Sequence, residues 1–415
     1  MDFSAAVILA LFALASINAS EAATIREDAC TVSINYFKGD LKEPQPLLLN
    51  NEKNGTSFLY PIDRLGTVKL KAGQRVLIAC PGKGNYIQGI KGLKNVNEIE
   101  ASCLTGKIFG CAGLRFNFTT LACTYLPANV ARRTNKPCYK NAVNIEIGFP
   151  LNKDFLHTIE ICRDDETMMT YWSKYRLTAS ISGYQSGFPR PDKWQTGDFY
   201  NKFNVDKHFK ASMQMNMIGK QIGSKDLASK YINFSTSRYL ARGHLTAKAD
   251  FVYGAAQTST FWYVNAAPQW QTFNAGNWNT LEMSVRNFVA RRKSDVDVYT
   301  GTFGHMTLRD VNGNDAPIYL YVNGTRKEFP VPEFYWKVIH DPVSKEATAF
   351  VGLNNPWAEK ITEKMFICDN IADRIKWVNW SPKNIAKGIS YVCDVDDLRK
   401  SIPYIPRFKV NDILV

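Results

Sequence analysis

Residues 237–251, SRYLARGHLTAKADF, place a histidine near the end of a short run of residues that is typical of a β-strand. The triplet Arg242-Gly243-His244 interrupts that run, and the chain of 415 residues contains only five histidines. Glycine permits a close approach of the backbone, and arginine keeps its charge at physiological pH. A lone histidine in such a segment is more often a structural residue than a catalytic one. The role of His244 therefore depends on which residues the fold brings near it.

A helix is predicted about thirty residues later, over residues 274–293 (NAGNWNTLEMSVRNFVARRK). Its apolar residues recur at the spacing of three and four that gives a helix one buried face, and they are Trp278, Leu281, Val285, Phe288 and Val289. Asn274, Glu282 and Arg286 share a stripe with Trp278, because a step of four residues rotates by only about 40° around a helix. These polar side chains border the buried face, where they cost free energy unless they have partners or a chemical role.

A histidine, an asparagine, a carboxylate and arginines together suit the hydrolysis of a phosphodiester. That reaction needs a base that deprotonates water and positive charge around the phosphate. A neutral imidazole can be this base near neutral pH. Mg²⁺ retains its waters and needs few protein oxygens, so one Asn carbonyl and a carboxylate that holds a bound water make a feasible site.

These segments resemble the DNA/RNA non-specific endonucleases, which carry a ββα-metal (His-Me finger) site. The family pattern is Asp-Arg-Gly-His, then Asn-x-x-Pro-Gln, then Asn-x-x-x-Trp-x-x-x-Glu. The chain has the three parts in the same order, as Arg242-Gly243-His244, Asn265-Ala-Ala-Pro268-Gln269, and Asn274 with Trp278 and Glu282. The similarity covers roughly residues 200–390, and the long cysteine-rich extension before it resembles that of arthropod extracellular nucleases, including gut enzymes that degrade double-stranded RNA.

The resemblance implies a role for each matching residue. His244 would be the general base, and Asn274 would be the sole direct protein ligand of Mg²⁺, with Mn²⁺ or another divalent cation as the alternative. Glu282 would orient a metal-bound water. Arg242 and Arg286 would hold or neutralise the phosphate, and the products would carry 5′-phosphate ends.

Other positions near the motif are less direct matches. Asn265 and Gln269 match positions that shape or support the site. Lys210 and Arg238 are candidates for a further cation upstream of the motif. Ala241 stands where the family most often has Asp, which leaves metal dependence, rate and substrate preference open.

Simpler interpretations exist for several of these residues. Asn274 alone would suit a helix N-cap, and Glu282 with Arg286 would suit an i, i+4 pair worth about 0.2–0.5 kcal/mol. The cluster Arg291-Arg292-Lys293 is either a solvated helix end or a phosphate-contacting patch. The residues that match no motif are predicted to be structural, namely His157, His208, His305, His340 and Lys337.

The predicted fold class is α+β, with a ββα-metal nuclease domain of mixed sheet and helices preceded by a disulfide-braced β-rich module. Residues 1–22 are predicted to be a signal peptide, because a short apolar run precedes small residues there. The β-rich module is assigned to residues 23–165 and the nuclease domain to 166–415. A strand is expected over residues 258–269, and a Pro/Gly-rich break over 186–192 is expected to join the domains.

Nine cysteines without a CxxC pair indicate structural disulfides in an oxidising compartment. Cys368 and Cys393 are expected to pair with each other. The seven cysteines before residue 163 leave one over, either as a free thiol or in a bond between domains. Five sequons are compatible with glycosylation on surface loops, at Asn54, Asn117, Asn233, Asn323 and Asn379.

A formal net charge of +13 favours polyanionic partners, such as nucleic acid, anionic glycans or anionic lipid. No stretch after the predicted signal peptide is long and apolar enough to span a membrane. The sequence therefore predicts a secreted, Mg²⁺-dependent endonuclease that cuts DNA and RNA with little sequence specificity and has no evident protein partner. Two alternatives are a non-catalytic secreted nucleic-acid-binding protein with a decayed site, and a module that binds anionic glycans, which explains the charge but not the motif.

Overall fold

The computed structural model describes residues 29–52, 55–200 and 203–415. The predicted signal peptide and the sequon at Asn54 lie outside these residues. The first part of the described chain is built from short antiparallel strands, and β3-β2-β5-β7-β8-β9 form its main sheet. The strands of this part are β1 (Cys30–Ser33), β2 (Leu47–Glu52), β3 (Gly55–Phe58), β4 (Thr67–Leu70), β5 (Arg75–Ala79), β6 (Ile87–Gln88), β7 (Glu98–Thr105), β8 (Ile108–Cys111), β9 (Leu114–Asn117) and β10 (Ala122–Cys123).

The rest of the chain is organised around a nine-stranded sheet in the order β11-β12-β13-β14-β17-β22-β23-β24, with β25 parallel to β23. The strands of this part of the chain, inside and outside that sheet, are β11 (Val130–Pro137), β12 (Val143–Pro150), β13 (Phe155–Asp164), β14 (Met169–Leu177), β15 (Leu240–His244), β16 (Ala266–Trp270), β17 (Val296–Phe303), β18 (Thr307–Arg309), β19 (Asp315–Pro317), β20 (Tyr319–Asn323), β21 (Arg326–Pro330), β22 (Phe334–His340), β23 (Glu346–Leu353), β24 (Ser390–Cys393) and β25 (Asp412–Ile413). Because β13 ends and β14 begins on either side of residue 165, this sheet continues across the predicted domain boundary.

Seven α-helical segments accompany the strands in the described part of the chain, and the longest of them, α6, follows the β15–β16 hairpin. They are α1 (Val205–His208), α2 (Ala211–Ile222), α3 (Lys225–Tyr231), α4 (Gly254–Thr258), α5 (Gln271–Phe273), α6 (Asn279–Arg292) and α7 (Val395–Ser401). None of the described helices is long and apolar enough to cross a membrane. The mixture of sheets and helices confirms the α+β class.

The central strands are buried on both faces. Every residue of β22 is buried, and successive side chains enter different clusters, with Tyr335 in the cluster on the side of the hairpin and Trp336 in the other. This alternation follows from the two-residue period of a strand. The cluster that contains Tyr335 continues into the first part of the chain, where it includes Leu48 and Phe109. The two parts therefore share one hydrophobic core.

Gln185 connects the two parts by hydrogen bonds in the interior. Its side chain donates to the Ile34 carbonyl and to Gln45 Oε1, and it accepts from the Gly254 N–H. Gln185 is only 3% exposed, so these groups have no access to water as an alternative partner. Nearby, the rings of Phe58 and Tyr253 stack with their centroids 5.1 Å apart.

The predicted strand over residues 258–269 is wrong in its first half. Helix α4 ends at Thr258, a single helical turn covers Tyr263–Asn265, and β16 begins only at Ala266. All residues from 251 to 270 are buried, so the run lacks the periodicity that distinguishes a strand from a helix.

Four disulfides cross-link the described residues. Cys368–Cys393 confirms the expected pair, and the others are Cys30–Cys103, Cys80–Cys123 and Cys138–Cys162. The ninth cysteine, Cys111, is a buried free thiol.

We expect Gln185→Leu to destabilise the protein, because it removes the buried hydrogen bonds between the two parts of the chain. Each buried polar group left without a partner costs about 1–3 kcal/mol. Chemical denaturation followed by tryptophan fluorescence would measure the loss. Ser186→Ala, at an exposed neighbouring position, is the matched control, and equal stabilities of the two variants would contradict this role of Gln185.

Candidate active site

His244 ends strand β15, which pairs with β16 so that His244 faces Ala266 and Arg242 faces Pro268. Side chains alternate along a strand, so Arg242 and His244 lie on the same face of this hairpin. The His244 ring lies between Trp194 and Phe261, with centroid distances of 4.6 and 4.8 Å. Its Nε2 atom is buried and has no hydrogen-bond partner among the described residues.

The surroundings of His244 keep its imidazole neutral. Burial, followed by the positive charges of Arg190 and Lys248, lowers its pKa to about 3. A neutral imidazole has a free lone pair and can accept a proton, as a general base must.

Arg190 lies against the same Phe261 ring as His244, although no sequence motif marks it. It lies in the Pro/Gly-rich segment over residues 186–192, it is exposed, and its guanidinium is 5.7 Å from the Phe261 ring centroid. Its positive charge lowers the pKa of both His244 and Glu282. No motif surrounds it, and only the fold brings it to the hairpin.

The two cations proposed upstream of the motif have other neighbours. The Arg238 guanidinium lies 5.0 Å from the Trp357 ring centroid. Lys210 lines a surface pocket together with Asp206. Asp206 is also the ionic partner of Arg242, which donates from Nη2 to Asp206 Oδ1 at 2.7 Å and from Nε to the Tyr263 hydroxyl at 2.8 Å.

The predicted helix over 274–293 is present, with a bend at its start. A wide turn over Asn274–Trp278 connects α5 to α6, and Gly276 has non-helical dihedral angles (φ −91°, ψ −122°). A Cβ at Gly276 would lie 2.8 Å from the Lys387 carbonyl oxygen, so the chain passes too close for a larger residue. Asn277 fixes this bend through hydrogen bonds with Ser381 and Gly388.

Asn274 lies on this turn and is partly exposed. Its dihedral angles are helical (φ −54°, ψ −47°), so it does not act as a helix N-cap. Its Nδ2 donates to Gln271 Oε1 at 3.1 Å. Among the described residues nothing donates to its Oδ1, which leaves that oxygen available.

Glu282 belongs to a group of four charged side chains, in which Asp250 and Lys337 are buried and Glu282 and Arg286 are partly buried. Arg286 Nη1 donates to Asp250 Oδ1 at 2.8 Å, and the Tyr175 hydroxyl donates to the other Asp250 oxygen. Arg286 is therefore paired with Asp250, and no ion pair with Glu282 forms in the described part of the chain.

The pKa of Glu282 is raised to about 7, first by burial and then by the neighbouring Asp250 carboxylate. The charges of Lys337, Arg286 and Arg190 act in the opposite direction. Lys337 is buried on β22, where its Nζ donates to Thr300 Oγ1 at 2.6 Å, and burial lowers its pKa. The positive charge of Lys337 thus offsets part of the negative charge of the carboxylates beside it. The sequence does not indicate this role, because Lys337 belongs to no motif.

These residues fit a hard divalent cation. Asn274 Oδ1 has no donor, and the Glu282 carboxylate receives no hydrogen bond from the described residues. An amide oxygen and a carboxylate suit Mg²⁺, which keeps several of its waters. No group of three or more His, Cys, Asp and Glu that could hold a metal is present in the described ranges, so a site here depends on few protein ligands.

Asn265 and Gln269 occupy buried positions behind the hairpin. Asn265 Oδ1 accepts from the Thr246 N–H, and its Nδ2 donates to the Thr246 and Thr260 carbonyls, which fixes the backbone just after His244. Gln269 lies opposite Ala241, and neither of its side-chain polar atoms has a partner among the described residues. A carboxylate at position 241 would share this face with Gln269.

The family model for DNA/RNA non-specific endonucleases matches residues 140–398. The chain belongs to this family. It is therefore a nuclease, a phosphodiester hydrolase that acts on nucleic acid.

Relatives that are named salivary endonucleases are similar to this chain over most of its length. A salivary endonuclease of Lutzomyia longipalpis is 27% identical over 94% of this chain and 87% of its own. A salivary endonuclease of Culex quinquefasciatus is 24% identical over 90% of this chain and 89% of its own. A crystal structure of the EndoG/EndoGI complex, on the mechanism of EndoG inhibition, is only loosely similar, with 19% identity, a TM-score of 0.33, and coverage of 62% of this chain and 87% of that one.

We expect the His244 imidazole to remain neutral from pH 8 down to about pH 5, because its pKa in the folded protein lies far below the usual value of about 6.5. Since the unfolded chain then binds the extra proton, stability falls as the pH drops from about 6.5 towards 3. NMR titration, with His244→Ala to assign the resonance, would measure the pKa.

Arg190→Ala should raise that pKa, because it removes a like charge, whereas Arg115→Ala, at an exposed position in another pocket, should leave it in place. A midpoint near 6.5 in the unsubstituted protein would contradict the neutral assignment.

Proposed function

We propose that the protein is a secreted, Mg²⁺-dependent endonuclease that cuts DNA and RNA, including double-stranded RNA, with little sequence specificity. The observation that carries the proposal is the placement of His244 and the exposed Arg190 against the same Phe261 ring, with ring-centroid distances of 4.8 Å for His244 and 5.7 Å for the Arg190 guanidinium. The pKa of His244 is lowered, and that of the partly buried Glu282 is raised. This combination supplies a base, a phosphate-binding cation and a carboxylate that can orient water.

His244 is the general base in this proposal. Its Nε2 is enclosed by the protein, so Nδ1 accepts the proton as the water oxygen bonds to phosphorus. The bond from phosphorus to the 3′ oxygen breaks, and that oxygen takes up a proton from water, which leaves 3′-hydroxyl and 5′-phosphate ends. Asn265 holds the backbone after His244 and so keeps the ring in position.

Arginines hold the phosphate. Arg190 is exposed and carries no ion pair in the described part of the chain, so its whole guanidinium is available to phosphate oxygens. Arg242 keeps Nη1 free while Nε and Nη2 bind Tyr263 and Asp206. Arg286 is committed to Asp250, and its charge stabilises the site from below the surface.

Asn274 Oδ1 would hold the metal, and Glu282 would orient a water bound to it. A divalent cation supplies positive charge that stabilises the charge developing on the phosphate and on the leaving oxygen. Beside such a cation the Glu282 carboxylate would stay ionised, because an opposite charge offsets the burial that raises its pKa.

Contacts to phosphates carry no base information directly, so backbone binding explains low sequence specificity. Four disulfides in the described residues and relatives named as salivary endonucleases support secretion. For the architecture, we propose a β-rich N-terminal module followed by the nuclease domain, joined between β10 and β11, where the central sheet begins.

Purified protein should cut plasmid DNA, double-stranded RNA and single-stranded RNA with Mg²⁺ and lose activity with a chelator. His244→Ala should lower kcat by about 10²–10⁴-fold, the usual contribution of a general base. His305→Ala, at an exposed histidine, is the matched control. Ligation of the products without prior phosphorylation would identify the 5′-phosphate ends.

Two results would contradict the proposal. Cleavage by His244→Ala at the rate of the control would remove the base from the mechanism. Binding of nucleic acid without cleavage under any divalent cation would indicate a decayed site, as the alanine at position 241 allows.

A further inference from the structure

A groove of about 800 Å³ runs between the N-terminal module and helix α6. Arg64 lines it from the module, Tyr184 lines it from the connecting segment, and α6 contributes Met283, Arg286 and Arg291. No acidic residue is among its lining residues. The groove is therefore a cationic surface that both parts of the chain build together.

Local packing fixes the position of Arg64 at the edge of the groove. Asp63 Oδ1 accepts from the backbone N–H groups of Leu65 and Thr67, which forms a tight turn around Arg64. The turn lies against Gly183, where an added Cβ would be 2.5 Å from the Asp63 carbonyl oxygen. This close contact leaves no room for a larger residue at position 183. It packs the turn of the module against the connecting segment, and so holds the module next to α6.

The charges of Arg64 and Arg291 are free. Both side chains are exposed, and neither forms an ion pair with any described residue. The neighbouring Arg292 contrasts with them, because it pairs with Asp341 and Glu346. Within the predicted basic cluster at the end of α6, Arg292 is thus neutralised by carboxylates, whereas Arg291 faces the groove.

The groove adjoins the candidate active site at Arg286. Arg286 lines the groove and also binds Asp250, the carboxylate beside Glu282. From Glu282 to Arg291 the helix rises by about 13 Å, at about 1.5 Å per residue. That length corresponds to about four nucleotide steps along one strand of a B-form duplex, at about 3.4 Å each.

We propose that this groove binds the sugar-phosphate backbone of the substrate beyond the bond that is cleaved, with Arg64 and Arg291 contacting phosphates. The inference rests on the proposed nuclease function and gives the N-terminal module a part in it. Guanidinium groups without carboxylate partners suit phosphate oxygens, and Met283 and Tyr184 offer apolar surface to the sugars. A longer substrate would therefore bind more tightly than one confined to the active site.

The double variant Arg64→Ala/Arg291→Ala tests this groove, with Arg115→Ala/Arg407→Ala as the matched control. The control removes the same charge at two exposed positions that do not line the groove. Binding is measured by fluorescence anisotropy in a His244→Ala background with Mg²⁺, using a labelled duplex of about 30 base pairs and an oligonucleotide of about three nucleotides, which is too short to reach from the active site to Arg291.

We expect the groove variant to weaken duplex binding about tenfold at about 0.1 M salt and to reduce the slope of log Kd against log salt by up to about two. The three-nucleotide probe should lose less than about twofold, and the control should lose less than about twofold on both probes. Arg64→Lys/Arg291→Lys should recover most of the affinity, because it keeps the charge. In the active enzyme, KM for the long duplex should rise by a similar factor.

Equal losses in the groove variant and the control, or equal losses on the two probe lengths, would overturn the inference. The proposed function fails separately, if the unsubstituted protein cuts no nucleic acid. Because the binding measurement uses the His244→Ala background, it reports on the groove in either case.

Discussion

The hairpin of β15 and β16 lies so close to the central sheet that position 243 has no room for a Cβ. An added Cβ at Gly243 would be 2.4 Å from Gln269 Oε1 and 2.9 Å from the Tyr335 hydroxyl. Gly243 therefore allows the back of the hairpin to rest on buried side chains, and the opposite face presents Arg242 and His244. The position of the candidate base relative to the sheet depends on this contact.

The sequence predicts the part of the site that is local along the chain. His244, Asn274 and Glu282 follow a spaced motif, and the helical period explains why Glu282 borders a buried face. The roles of Lys337 and Asp250 cannot be predicted in this way, because each lies on a separate element and only tertiary structure brings them to Glu282. The role of Arg190 cannot be predicted from the sequence either, since it lies in an exposed segment with no periodic pattern.

The predictability of the fold varies in a similar way. Strands β22 and β23 lie within segments that the sequence marks as strands, because β-branched and aromatic residues are concentrated there. The run over residues 258–265 is also rich in aromatic and β-branched residues but is buried on all sides, so propensity favoured a strand where packing produces turns. The sheet crosses residue 165 at the local hairpin of β13 and β14. The pairing of β14 with β17 spans more than a hundred residues, and no local pattern reveals it.

The charged side chains of the site are balanced only in part within the protein. Asp250 and Glu282 repel each other in an environment from which water is largely excluded, and Arg286 and Lys337 compensate them only in part, since the pKa of Glu282 remains raised to about 7. A carboxylate in that state has no strong partner within the protein and is suited to an incoming cation or its bound water. Asp250 differs, because Arg286 and the Tyr175 hydroxyl already satisfy both of its oxygens. Of the two neighbouring carboxylates, Asp250 therefore maintains the structure, whereas Glu282 receives no hydrogen bond from the described residues.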